Sequence, residues 1–156
     1  MRAMLDPGDE VLIPQPSYVS YLPCARLAGG VPVVIELKAE NQFRLTRDEL
    51  EAAITPKTKI LVLPFPNNPT GAVMERSDLE ELVDVIVAND LYVITDEIYS
   101  ELTYYRGRFM CPLLFADRFF LFFVSFFPIC KCLIIHKTAT AKCFFYLYFL
   151  LIIGIY

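Results

Sequence analysis

Two stretches of sequence decide the fold: ILVLPFPNNPTG at residues 60–71 and YVITDEIY at residues 92–99. Each opens with an apolar run rich in β-formers, Ile60–Leu63 and Tyr92–Ile94, and such runs predict buried strands. An amide, a carboxylate and a phenol follow, placed at the ends of two predicted strands. A flat, polar, anionic cofactor needs groups of these kinds, so the same stretches predict a binding site.

The first 105 residues alternate strand-like and helix-like patterns. Strands are expected at Glu10–Pro14, Val31–Glu36, Lys59–Leu63 and Tyr92–Thr95. Helices are expected at Tyr18–Ala28, at Thr46–Ile54 and from Ser77 to about Asn89. Capping boxes open the last two helices, Thr46 with Glu49 and Ser77 with Glu80. Because nearly continuous apolar strands alternate with helices, we predict an α/β fold with a mostly parallel sheet.

Composition divides this chain of 156 residues sharply. All 18 acidic residues lie at or before Asp117, and the first 117 residues carry 10 basic groups, a net charge of −8. From Arg118 onward there are three lysines, one arginine and no acid, and nine of the 13 phenylalanines fall there. A globular domain rarely separates its composition in this way. We therefore expect a domain at residues 1–107 and an unassigned hydrophobic tail at residues 108–156.

Charge and hydrophobicity also bear on the partners of the chain. The overall net charge of −4 argues against a nucleic-acid partner. The tail contains two apolar runs, Phe119–Cys130 and Cys143–Tyr156, and each is shorter than the roughly 20 residues that a membrane-spanning helix needs. A membrane anchor within residues 119–156 is therefore the less favoured interpretation of the tail.

The cysteines and the N-terminal segment indicate a cytoplasmic protein. The five cysteines lack the spacing of a disulfide framework, and Met1–Glu10 is polar rather than a signal peptide. We therefore expect reduced thiols. A zinc site would have to combine Cys130, Cys132, His136 and Cys143. Because the Cys-x-Cys spacing is atypical and no second pair exists, we predict no metal site.

Four side chains are candidates for ligand binding, since ligands in open α/β sheets bind beyond the carboxyl ends of the strands. Tyr18 follows the first strand, Asn68 the third, and Asp96 and Tyr99 the fourth. Taken singly, each has a structural explanation: packing for a tyrosine, a turn for Asn-Pro and a cap for the aspartate. Together they offer an aromatic face, two donors for one ring oxygen and a carboxylate for a protonated ring nitrogen. This set favours a pyridine cofactor with a phenolic oxygen.

These motifs resemble the class I/II aminotransferases, which are pyridoxal-phosphate-dependent enzymes of fold type I. The resemblance lies in DPGDEVLIPQPSYVSY at residues 6–21, in Pro66–Gly71 and in Thr95–Tyr99, and it covers residues 1 to about 107. It implies part of a three-layer sandwich from the large, cofactor-binding domain. It also implies pyridoxal 5′-phosphate as cofactor and transfer of an amino group from an amino acid to a 2-oxo acid, in a homodimer.

The resemblance assigns a role to each candidate residue. It implies that Tyr18 stacks on the cofactor ring and that Asn68 and Tyr99 hydrogen-bond its O3′ oxygen. Asp96 would pair with the pyridine nitrogen and keep it protonated, which lets the ring act as an electron sink.

The lysine that forms the Schiff base in that family has no recognisable counterpart in this chain. The family carries it a few tens of residues after the aspartate, in a Ser-x-x-Lys or Phe-Ser-Lys context. Lys131 is nearest in spacing, and Lys137 and Lys142 follow, but none has that context. We therefore predict no catalytic residue and expect an inactive fragment, whose reading frame is truncated or shifted after about residue 107.

Two alternatives stay open. The chain could be non-catalytic, either as a degraded relative or as a membrane-tethered binding module. It could also belong to another fold-type I enzyme such as a carbon–sulfur lyase, because such relatives share similar motifs. The sequence does not identify the amino acid or the oxo acid.

Overall fold

The computed structural model describes residues 1–99 in full and the backbone of residues 120–125 and 131–136. The strands that it describes are β1 Glu10–Gln15, β2 Val31–Glu36, β3 Thr58–Leu63, β4 Tyr92–Asp96, β5 Phe120–Ser125 and β6 Lys131–His136. The helices are α1 Tyr21–Leu27, α2 Arg47–Ala53 and α3 Arg76–Ala88, with a 3-10 turn at Ala39–Asn41. The predicted α/β alternation is confirmed.

The strands form one sheet in the order β2-β1-β3-β4-β6-β5. Strands β1 to β4 pair with one another in parallel, whereas β6 pairs antiparallel with both β4 and β5. Parallel strands end at the same edge of a sheet, so the segments that follow β1, β3 and β4 are brought together. This edge, called the carboxyl edge below, is where the sequence predicts the site.

Helices cover both faces of the parallel strands. One face packs against α2 and α3, and its cluster includes Leu12, Leu61, Leu63, Val93, Leu50, Leu82 and Ile86. The other face packs against α1 and the N-terminal segment, and its cluster includes Val11, Ile13, Ile60, Val62, Ile94 and Ala25. Alternate strand residues go to opposite faces, and burying each such aliphatic side chain contributes about 1.5–3 kcal/mol before chain entropy is counted. The helix–sheet–helix arrangement confirms the predicted partial three-layer sandwich.

Helix α2 begins where its capping box predicts. The Thr46 Oγ1 accepts the Glu49 N–H at 3.4 Å, and the Glu49 Oε2 accepts the Thr46 N–H at 3.0 Å. These two bonds satisfy N–H groups that have no partner inside the helix.

Helix α1 begins three residues later than predicted, at Tyr21 instead of Tyr18. The cause is Pro23, whose ring would clash with the carbonyl four residues earlier if the helix began sooner. At the third helical position its missing N–H costs nothing, because that group has no intrahelical partner there. Tyr18 therefore lies in the loop between β1 and α1 and not on the helix.

The capping box predicted for α3, Ser77 with Glu80, is wrong. The helix is capped two residues earlier, at Glu75, whose N–H donates to the Asp78 Oδ2 at 2.8 Å. Arg44 reinforces this end, since its guanidinium lies 3.1 Å from both the Glu75 and the Asp78 carboxylate. A long-range arginine thus helps to select Glu75 as the cap, and the local sequence does not reveal it.

Part of the predicted tail pairs with the parallel sheet. The backbone of β6 pairs with β4 so that Cys132 lies opposite Asp96, and β5 forms the outer strand. Of the two apolar runs, Cys143–Tyr156 lies outside the described residues. Within the part of the chain that is described, no helix is long and apolar enough to cross a membrane.

Candidate functional site

Asp96 ends β4 on the face of the sheet that α1 covers. Ile94, two residues earlier, belongs to the cluster that contains Ala25 of α1. Side chains two apart on a strand share a face, so Asp96 is directed toward that helix. Thr95, between them, faces the other layer and is fully buried.

The Asp96 carboxylate is held by two donors. The Tyr21 hydroxyl donates to Oδ2 at 2.7 Å, and the Ile98 N–H donates to Oδ1 at 3.2 Å. Each oxygen of an ionised carboxylate can accept about two hydrogen bonds, so acceptor capacity remains for a further donor. Asp96 is only half-buried, and a ligand can approach it.

Asn68 and Tyr99 form a second polar pair. The Asn68 Nδ2 donates to the Tyr99 hydroxyl oxygen at 3.3 Å. This leaves one N–H of the Asn68 amide and the O–H of Tyr99 able to donate elsewhere. Two donors this close together can converge on one acceptor oxygen of a ligand.

The loop that carries Asn68 is closed by its own backbone. The Asn67 N–H donates to the Ala72 carbonyl at 2.9 Å, and the Gly71 N–H donates to the Asn67 carbonyl at 2.8 Å. The buried Asn67 amide also donates from Nδ2 to the Pro16 carbonyl at 3.1 Å. The loops after β1 and β3 are therefore joined, and Asn68 is presented by a fixed frame.

Tyr18 lies at the open side of this edge. Its ring is half exposed, and it meets the Tyr21 ring edge to face with the centroids 6.1 Å apart. Tyr21 in turn contacts Asp96, so Tyr18 is connected to the carboxylate through one intermediate side chain. A half-exposed aromatic ring at this edge can cover a planar ligand.

Two ionisable groups with shifted pKa values, Asp9 and Lys59, lie at the opposite, amino edge of the sheet. The Lys59 Nζ lies 2.7 Å from the Asp9 Oδ2 and 3.1 Å from the Asp6 Oδ2. The hydrogen bond from Lys59, followed by one from the Asp6 N–H, holds the pKa of the Asp9 carboxyl below its ordinary value. The hydrogen bonds to Asp9 and Asp6 raise the pKa of Lys59. These ion pairs stabilise the sheet far from the site.

All four predicted site residues lie at the carboxyl edge: Asp96 is the last residue of β4, and the other three follow strand ends. Asn68 contacts Tyr99 directly, whereas Tyr18 reaches Asp96 only through Tyr21. The sequence reasoning missed Tyr21, although a usable signal existed. Tyr21 lies three residues after Tyr18, at the start of the helix that covers the Ile94 face.

The lysines named from the sequence are only partly placed. Lys131 begins β6, one residue before Cys132, which pairs with Asp96, so its backbone lies near the carboxyl edge. Lys137 and Lys142 lie outside the described residues, as do Cys130 and Cys143 of the rejected zinc set. Among the fully described residues, no group of three or more metal-binding side chains comes together.

These four side chains fit a planar, nitrogen-containing ring that carries an oxygen substituent. Asp96 offers a carboxylate for a protonated ring nitrogen, Asn68 and Tyr99 offer two donors, and Tyr18 offers an exposed face. The fold is an α/β sheet, and these four side chains lie at its carboxyl edge, where ligands bind in open parallel sheets.

Comparisons with known proteins identify the family. The model for "Aminotransferase class I and II" matches residues 1–120. Aromatic-amino-acid aminotransferase 2 of Thermococcus litoralis is 49% identical over 104 residues, which cover 67% of this chain and 27% of that protein. Aspartate aminotransferase of Pyrococcus abyssi is 50% identical over 104 residues, with the same shares. The crystal structure of an aromatic aminotransferase from Pyrococcus horikoshii superposes with a TM-score of 0.69 at 47% identity, over 71% of this chain and 30% of that one.

The chain belongs to the class I and II aminotransferase family. It spans less than a third of the length of these relatives. Members of this family generally use pyridoxal phosphate and act on amino acids and 2-oxo acids, as the resemblance implied.

Proposed function

We propose that this chain forms the ring-binding wall of a pyridoxal-phosphate-dependent aminotransferase. The complete enzyme transfers an amino group from an amino acid to a 2-oxo acid. The observation that carries the proposal is the joint placement, at one sheet edge, of the Asn68–Tyr99 pair and the Asp96 carboxylate held by Tyr21.

Each residue has a distinct proposed task toward the cofactor. Tyr18 covers one face of the ring, Asn68 and Tyr99 donate hydrogen bonds to its O3′ oxygen, and Asp96 accepts one from the ring nitrogen. When bound, the cofactor supplies an electron sink for cleavage at the α-carbon of an amino acid.

By itself, the chain is proposed to bind the cofactor without catalysing amino-group transfer. We assign residues 1–107 to the large, cofactor-binding domain and residues 108–156 to a hydrophobic tail, of which β5 and β6 pair with the sheet. No lysine stands in the sequence context that the family uses for catalysis. We place the protein in the cytoplasm, because its cysteines lack the spacing of a disulfide framework. Homodimer formation is proposed for the complete enzyme.

Equilibrium binding of pyridoxal 5′-phosphate to the full chain tests this proposal. We expect the unmodified chain to bind and Asp96→Ala to weaken binding about tenfold or more, since hydrogen bonds to charged groups contribute roughly 1.5–3 kcal/mol. Asp84→Ala is the matched control, because it removes an exposed carboxylate from α3, on the other side of the sheet. Loss of binding that is equal in both variants would contradict the assigned site.

Borohydride reduction tests the expected inactivity. After incubation with the cofactor and reduction, mass spectrometry should find no lysine-linked adduct, and the chain should not convert an amino acid and a 2-oxo acid. An adduct on Lys131, Lys137 or Lys142 would overturn the prediction that this chain carries no catalytic lysine.

A further inference from the structure

Tyr21 contacts two members of the proposed site without belonging to the predicted set. Its hydroxyl donates to the Asp96 Oδ2 at 2.7 Å, and its ring lies 6.1 Å from the Tyr18 ring, edge to face. The distance to Asp96 is typical of a charge-assisted O–H···O⁻ hydrogen bond. The two residues are 75 positions apart, so this bond joins α1 to the end of β4.

Packing fixes Tyr21 before any ligand arrives. It is the first residue of α1 and packs, partly buried, against the apolar cluster on the Ile94 face of the sheet. The Tyr18 ring also contacts the Tyr21 ring, edge to face. A phenol held at its ring is a rigid donor, with little rotamer freedom left to lose when its hydrogen bond forms.

We infer that Tyr21 is a positioning residue, which fixes the orientation of the Asp96 carboxylate toward the ring nitrogen of the cofactor. The Tyr21 hydroxyl holds Oδ2 and the Ile98 N–H holds Oδ1, so rotation of the carboxylate is blocked at both oxygens. The remaining acceptor directions of the carboxylate are then set before binding. Because the carboxylate is already oriented, less conformational entropy is lost when the ligand binds.

The inference rests on the proposed cofactor site and predicts a selective effect. The Tyr21 hydroxyl acts on the ring nitrogen through Asp96, whereas the ring contact with Tyr18 does not involve the hydroxyl. The hydroxyl therefore matters for pyridoxal 5′-phosphate and not for the carbocyclic analogue, in which a C–H group replaces that nitrogen. A tyrosine that merely stabilised the fold would affect the two ligands equally.

The test compares the affinities of both ligands for the full chain and for Tyr21→Phe, which keeps the ring and removes only the hydroxyl. We expect Tyr21→Phe to weaken pyridoxal 5′-phosphate binding about tenfold, the lower end of what a hydrogen bond to a charged group contributes. Affinity for the carbocyclic analogue should not change, which also shows that the variant folds. In an Asp96→Ala background, Tyr21→Phe should cause no further loss, because coupled residues are non-additive.

Tyr92→Phe is the matched control, since it removes a phenol hydroxyl at the first residue of β4, at the opposite edge of the sheet. It should leave both affinities unchanged. Equal weakening of both ligands by Tyr21→Phe would overturn this inference and leave the proposed function standing. Failure of the unmodified chain to bind pyridoxal 5′-phosphate would overturn the proposed function, and this inference with it.

Discussion

Asn67 and Asn68 are chemically identical neighbours that lie in different environments. Asn67 is 3% exposed and donates its side-chain amide to the Pro16 carbonyl, so it joins two loops. Asn68 is half-buried and donates to Tyr99, at the surface where a ligand can approach. The tight loop between Asn67 and Ala72 keeps these two amides apart, and Gly71 makes that loop possible.

Gly71 has a φ of 71°, a left-handed conformation that costs an L-residue with a Cβ roughly 1–2 kcal/mol. A Cβ built there meets nothing within 4 Å, so any loss on substitution comes from the backbone. We expect Gly71→Ala to lower the free energy of unfolding by about 1 kcal/mol in denaturant titrations followed by circular dichroism. Gly71→Asn should lose less, because asparagine tolerates this conformation better. Equal losses for the two variants would refute the backbone explanation.

Helix ends determine how the elements lie around the site. α2 starts at its predicted cap, Thr46, whereas α1 starts at Tyr21 and α3 is capped by Glu75 and Asp78. The position of α1 matters most, because a start at Tyr18 would have drawn that residue into the helix. Its actual start leaves Tyr18 in the loop and places Tyr21 against Asp96.

Thr46→Ala removes the hydroxyl that accepts the Glu49 N–H at the start of α2. We expect the free energy of unfolding to fall by about 1 kcal/mol, the usual contribution of an N-cap. Thr46→Ser retains the hydroxyl and should lose much less. Since α2 packs on the face of the sheet away from the site, cofactor affinity should be the same in both variants. A cap variant that altered affinity would argue against this separation.

The strands and the strand-end position of the four candidate residues were predictable because they depend on local sequence: apolar runs, turns and polar residues directly after them. The parallel pairing was predictable from the alternation of strands with helices. The cap of α3 was not predictable from local sequence, because Arg44, more than thirty positions away, bonds to Glu75 and Asp78. Tyr21 was missed for a similar reason, as its partner Asp96 lies across a packed layer. Single hydrogen bonds between distant side chains produce no periodic pattern in the sequence.

At the scale of the whole molecule, the proposed site and the ion pairs that stabilise the fold lie at opposite edges of the sheet. The proposed site occupies the carboxyl edge, and the Lys59 ion pairs with Asp9 and Asp6 occupy the amino edge. A change at one edge can therefore alter stability without altering the geometry of the other.

Lys59→Met tests this separation through pH. Because the folded pKa of Asp9 is lowered, its contribution to stability is present above about pH 4, its ordinary range, and is lost as pH falls through the lowered pKa. Because the folded pKa of Lys59 is raised, its contribution to stability is fully present below about pH 10 and is lost as pH rises through the folded pKa.

The destabilisation caused by Lys59→Met should thus be greatest near neutral pH and shrink in acid, when unfolding is measured at a series of pH values. Added salt should reduce it, because the pairs are partly exposed. Lys57→Met, at an exposed position two residues earlier, should show little effect. A destabilisation that is independent of pH would exclude the ion pairs as its cause.

The hydrogen bonds that assemble the carboxyl edge also constrain the order of events during folding. They join residues 75, 51 and 31 positions apart: Tyr21 with Asp96, Asn67 with Pro16, and Asn68 with Tyr99. Contacts of such sequence separation carry a loop-closure cost that only strand pairing can offset. A growing chain on the ribosome consequently cannot complete this edge until β4 has emerged and joined β3. The proposed cofactor site is therefore complete only after the parallel strands have paired.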